Sequence, residues 1–180
     1  MKKILFFLLI VILSPLIAGA YGILHDQITY SISLEYYTKF KFIQFGIEEY
    51  FWDRLGASIV GFMSTWWFGL ILGIVIGAVG FIQKNAKQMF KVSLQAIFIN
   101  IVVALFVGLM GLIYGYSRWG NVSREHLPNW NIPDSVIDFN SFVMVGSMHN
   151  FSYIGGILGL VLAIIWQVRS KKRIKNNPLS

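Results

Sequence analysis

Residues 57–82 read ASIVGFMSTWWFGLILGIVIGAVGFI, with no Asp, Glu, Lys or Arg among them. A helix rises 1.5 Å per residue, so about 20 apolar residues cross a hydrocarbon core of ~30 Å, and this run is long enough. Three further stretches share its character, at about 4–24, 92–116 and 150–168, and none carries an acid, a lysine or an arginine. The expected fold is therefore an all-α membrane protein, a bundle of four transmembrane helices forming one integral membrane domain over 1–180.

Composition agrees with that reading. Of the 180 residues, 56% are hydrophobic and 13% charged, against about 25% charged in soluble domains. Folded in water, such a chain would expose the large apolar patches that soluble monomers avoid. The sequence has no cysteine, which excludes disulfides, zinc–thiolate sites, iron–sulfur clusters and cysteine nucleophiles. A net charge of +7 suggests nucleic acid in a soluble protein, but here the basic residues flank the apolar spans, a pattern of membrane orientation.

Charge counting gives that orientation. Lys2, Lys3, Lys84, Lys87, Lys91, Arg169, Lys171, Lys172, Arg173 and Lys175 fall on one side, with no acid among them. Lys39, Lys41, Arg54, Arg118 and Arg124 fall on the other, with all eight Asp and Glu residues. The positive-inside rule makes the first side cytoplasmic, with both termini inside. Segments 25–56 and 117–149 are then extracytoplasmic and form a cap of loops and short interfacial helices. The basic tail from Arg169 to Lys175 is expected to rest on anionic lipid head groups. Residues 1–20 also read as a secretory signal, with two lysines, an apolar run and Ala18-Gly19-Ala20 as a cleavage pattern. The apolar run continues through Leu24, so retention as a signal anchor is the expectation and cleavage stays open.

Small residues recur every third or fourth position in three spans. They are Ala57, Gly61, Thr65, Gly69, Gly73 and Gly77 in the second, then Ala96, Asn100, Ala104, Gly108, Gly111 and Gly115 in the third, and Gly155, Gly159 and Ala163 in the fourth. Such stripes let helix backbones approach closely in lipid. The expected use is packing within one monomer, with a homo-oligomer or another membrane protein as the alternative partner. Asn100, on the small-residue face, is expected to hydrogen-bond to a neighbouring helix.

The outer segments hold the candidate site. Residues 28–34 alternate apolar and polar, which predicts a short strand or extended loop. Ser33 reads as a helix N-cap with Glu35 in the first turn, followed by one or two short helices over 35–52. Glu48, Glu49, Asp53 and Arg54 read as a solvated helix face. Residues 117–149 read as a loop with two prolines, then a helix leading into the last span. His25 ends the first span and His149 begins the fourth, so both reach the same interface. On a helical wheel, His149 shares a face with Ser152, Gly156, Gly159 and Ala163 and points into the bundle. Ionisable groups at that depth are functional candidates.

Imidazole and carboxylate suit zinc, iron or copper, so the metal candidates are His25, His149, Asp26, Glu35, Glu48 and Glu49. A His–carboxylate pair could also move protons, or the histidines could cap loop backbones. The spacing fits no established ligand motif. His126 is expected to be exposed.

The stretch His25-Asp26-Gln27-Ile28-Thr29-Tyr30 and its continuation Glu35-Tyr36-Tyr37-Thr38-Lys39-Phe40-Lys41-Phe42 resembles an uncharacterised family of small bacterial multi-pass inner-membrane proteins. Trp66-Trp67 and Met148-His149-Asn150 are similar too. The resemblance implies a bacterial inner membrane and brings no activity or site residue with it.

The leading expectation is a non-enzymatic membrane component that binds a partner or small ligand at its extracytoplasmic face, without a cofactor. The alternative is a membrane enzyme or redox protein with a His-based metal or haem site. A transporter comes third, since the spans hold few polar residues and show no inverted repeat.

Overall fold

The computed structural model describes residues 1–126 and 132–176, with side chains as far as Lys171. Pro128 of the predicted loop and the last basic side chains of the tail, Lys172, Arg173 and Lys175, lie outside that description. All regular structure among the described residues is helical. Helix α1 covers Lys2–Ile32, α2 Leu34–Tyr36, a π-helical turn Tyr37–Lys41 and α3 Phe42–Gln44. After a 3-10 turn at Glu49–Phe51 come α4 (Arg54–Gly80), α5 (Ala86–Trp119), a 3-10 turn at Arg124–His126 and α6 (Phe139–Asn176). Four of these helices, α1, α4, α5 and α6, are long and apolar enough to cross a membrane. Their outward faces carry Phe98, Phe106 and Ile113, each more than 60% exposed. Water would penalise such a surface and hydrocarbon accepts it, consistent with a multi-pass membrane protein.

Short side chains decide which helices pair. The α1 and α4 backbones touch at Gly22 and Gly61, where a side chain on either glycine would overlap the other's backbone. Further along, Gly69 and Gly73 of α4 lie against Ser14 and Ala18 of α1. In α5 and α6, Gly108 faces Ser152, Gly155 faces Ala104 and Val107, and Gly159 faces Asn100. The bundle is thus two tight hairpin-like pairs, α1 with α4 and α5 with α6, joined by looser contacts between them. Asn100 bonds across the second pair as expected, its Nδ2 donating to Gly156 O at 2.8 Å.

Each long helix after the first starts on a side-chain cap. Asp53 accepts from Leu55 N and Gly56 N at the start of α4, Asn85 from Gln88 N at α5, and Asp138 from Ser141 N at α6. Asp53 is therefore a cap, and no continuous helix joins it to Glu48 and Glu49. At the end of the bundle that holds Met1, Lys3 Nζ donates to Phe81 O and Gln83 O, placing a cation on the orphan carbonyls that close α4.

The expected strand or extended loop at 28–34 is not there. Helix α1 runs on to Ile32, eight residues past Leu24, and so carries His25 and Asp26 on its last turns. The hydroxyls of Thr29 and Ser31 bond back to the carbonyls of His25 and Gln27, which keeps these polar residues inside the helix. Alternation over a few residues also fits a helix with one polar side, and the period-two pattern misled. The chain breaks at Ser33, whose backbone is extended and whose hydroxyl accepts from Tyr36 N at 3.3 Å as the N-cap of α2. From 34 to 52 the chain forms the expected short helices, and Phe139 opens the helix that leads into the last span.

Two buried clusters fill the bundle. One, around Ile10, Leu72, Ile76, Met89 and Ala163, lies toward the end with Met1. The other, around Tyr36, Tyr37, Phe42, Val60, Trp119 and Phe142, joins the short helices to the opposite end.

Candidate functional site

Between the two helix pairs lies a cavity of about 760 Å³, counted with its open part, which draws its walls from α1, α4, α5 and α6. Along α1 it extends from Ser14 to His25, roughly 16 Å at the helical rise. Most of its lining is apolar, with Phe68, Leu72, Ile97 and Ile101 among the walls. One end is different. There His25 and Asp26 of α1 meet His149 of α6.

These three residues are 5%, 2% and 9% exposed. His25 Nδ1 lies 3.0 Å from Asp26 Oδ1, and His149 Nε2 lies 3.3 Å from the same oxygen. The two imidazoles meet edge to face, with centroids 4.7 Å apart. A carboxylate in so apolar a setting is costly unless a positive or hydrogen-bonding group faces it. His25 does so through Nδ1, whereas His149 Nε2 and Asp26 Oδ2 have no aligned partner among the described residues.

The far nitrogens of the histidines are also engaged. His149 Nδ1 is 2.9 Å from Val145 O; a carbonyl only accepts, so this nitrogen carries the hydrogen. His25 Nε2 is 3.1 Å from Ser152 Oγ, and a hydroxyl can donate or accept there.

An aromatic plate covers this end. The Tyr36 ring lies 4.9 Å from that of His149, and Phe142 lies 5.0 Å from Tyr36. Tyr37, fully buried, shares a hydrogen with Thr29 Oγ1 at 2.5 Å. Burial pushes the phenols of Tyr36 and Tyr37 upward, and the nearby Asp26 charge adds to the effect. Both therefore stay neutral. The plate closes the histidine cluster on the side of the short helices, and the cavity is its open side.

Of the six sequence candidates, the structure brings together His25, Asp26 and His149. Glu35 stands apart, its carboxylate accepting from Ile137 N and Asp138 N beside the start of α6. Glu48 and Glu49 are exposed on the connection before α4. His126 is exposed and pairs with Ser123. Tyr21 and Ser14, both cavity-lining, escaped sequence reading. Tyr21 precedes His25 by one helical turn, so i/i+4 spacing was the available signal, and its ring lies 5.8 Å from that of His25.

The arrangement can hold a cation between two nitrogens and a carboxylate, or the polar head of a molecule whose body lies along the cavity. No protein-family model, no curated protein and no solved structure matches the chain.

Proposed function

We propose that this chain is a non-enzymatic component of a bacterial inner membrane that binds a small amphiphilic ligand between its two helix pairs. Charge placement supports cytoplasmic termini, with the short helices, the aromatic plate and the histidine cluster then at the extracytoplasmic face. The ligand's polar end would meet His25, Asp26 and His149, and its apolar body would lie beside Phe68, Leu72 and Ile101. One observation carries this reading: most of the cavity's exposed lining is apolar, while its ionisable groups, His25, Asp26 and His149, gather at one end, a form that suits a site orienting an amphiphile. Entry from the bilayer fits the closure of the outer side by Tyr36 and Phe142.

A diazirine-tagged monoacylglycerol, neutral and of bilayer length, is the test. Photolysis with purified protein in lipid nanodiscs should concentrate adducts on peptides carrying Phe68 and Ile101. Ala104→Trp, which places bulk in the cavity, should suppress them. Adducts spread evenly over the outward residues Phe98, Phe106 and Ile113 would refute the proposal.

A further inference from the structure

The geometry points to a divalent transition-metal site made of His25, Asp26 and His149, with its remaining coordination positions open to the cavity. The inference goes beyond amphiphile binding and stands with or without it.

His149 Nδ1 holds its hydrogen against Val145 O, so in a neutral ring Nε2 is a bare lone pair. That lone pair faces Asp26 Oδ1 at 3.3 Å without an aligned hydrogen bond. Two acceptors held so close in an apolar interior repel each other. A positive centre between them, a second proton or a metal ion, removes the conflict.

Distances accommodate the metal as an occupant. Zinc binds imidazole nitrogen and carboxylate oxygen at about 2.0–2.2 Å, so neighbouring ligand atoms in a tetrahedral site sit about 3.3 Å apart. The observed edges are 3.0 Å and 3.3 Å, and all three ligand atoms lie within 4.8 Å of one another. Asp26 Oδ2, buried and without an aligned partner among the described residues although the Tyr37 hydroxyl lies near the carboxylate, offers a second oxygen to the same ion.

The outer hydrogen bonds are in place as well. Metal-bound histidines usually donate their other ring N–H to a carbonyl or similar acceptor, which fixes the ring. His149 does so to Val145 O. His25, binding through Nδ1, would carry its hydrogen on Nε2, where Ser152 Oγ lies at 3.1 Å and can accept. Two imidazoles and one carboxylate with open positions suit iron(II), zinc or cobalt and lack the soft ligands that favour copper(I).

Cobalt(II) is the probe, because its visible ligand-field bands report coordination directly. Detergent-purified protein, stripped with EDTA and loaded with cobalt chloride, should retain one ion per chain after desalting and show those bands. His149→Gln should weaken retention by about 100-fold or more, since loss of supporting partners alone costs 10–100-fold. Glu48→Gln should change nothing. Should His149→Gln fail to fold by circular dichroism, His149→Cys serves in its place. The chain has no other cysteine, so a thiolate-to-cobalt charge-transfer band would mark position 149 as a ligand. No retained cobalt in the wild type, undiminished binding in His149→Gln, or a His149→Cys protein lacking that band overturns the assignment.

Discussion

Gly22 of α1 and Gly61 of α4 meet backbone to backbone, and neither position has room for a single carbon. In lipid no hydrophobic force drives helices together, so the α1–α4 pair depends on this closeness for dispersion contacts. Gly61→Leu should push the pair apart. A cost of about 1–3 kcal/mol, typical of overpacking, should lower the midpoint of SDS-induced unfolding in mixed micelles. Gly46 is the useful contrast: its φ is +62° but nothing lies within 4 Å of an added Cβ. Gly46→Ala should cost only about 1 kcal/mol of backbone strain and leave helix pairing intact.

The helical spans were legible because twenty-residue apolar runs have few other uses, and the stripe through Gly61, Gly69 and Gly73 marked a contact face. His149 could be aimed inward from the wheel alone. That His25 and His149 reach one interface was legible too, but which carboxylate joins them was not, because that depends on α1 continuing past Leu24 to Ile32. Residues 28–32 alternate in a way that period counting reads as a strand, and only the packing of Thr29 against Tyr37 resolves the ambiguity. Glu35 looked like a ligand because a carboxylate near two histidines is chemically plausible. Sequence distance could not reveal that the backbone of Ile137 and Asp138 claims it.

Gln83 and Gln167 show the same limit at the other end of the bundle. Both are buried; Gln83 Nε2 donates to Gln167 O at 2.8 Å, while Gln167 Nε2 donates to Ile76 O at 3.0 Å and Ser93 Oγ at 3.1 Å. The glutamine side chain of 167 thus ties α6 to both α4 and α5. Gln167→Leu keeps the backbone acceptor for Gln83 and deletes only the two side-chain bonds. The expected loss is about 0.6–1.7 kcal/mol, from the average to the maximum found for an interhelical hydrogen bond in membranes. An unchanged unfolding midpoint would show that these bonds contribute nothing net.

Signal cleavage after Ala20 would have a structural consequence. Ile10 is fully buried among Leu72, Ile76 and other core residues, and Ser14 and Ala18 form part of the cavity wall against Gly69. Removing them would open the cavity along one side and strand the glycine face of α4 without a partner. The mature protein should therefore keep its first twenty residues. Intact-mass measurement of protein purified from membranes checks this, and a product beginning at Tyr21 would contradict it.

Orientation can be read out with little ambiguity because the natural chain has no cysteine. Glu48 and Lys84 are both exposed, at opposite ends of the bundle. If the basic flanks are cytoplasmic, Glu48→Cys should react in intact cells with a membrane-impermeant maleimide, and Lys84→Cys should react only after permeabilisation. The reverse pattern would turn the bundle over and place the histidine cluster near the cytoplasm. The proposed metal and amphiphile sites would survive that inversion, since both lie within the bundle. Their supply would change, because metal and polar head group would then have to arrive from the cytoplasmic side.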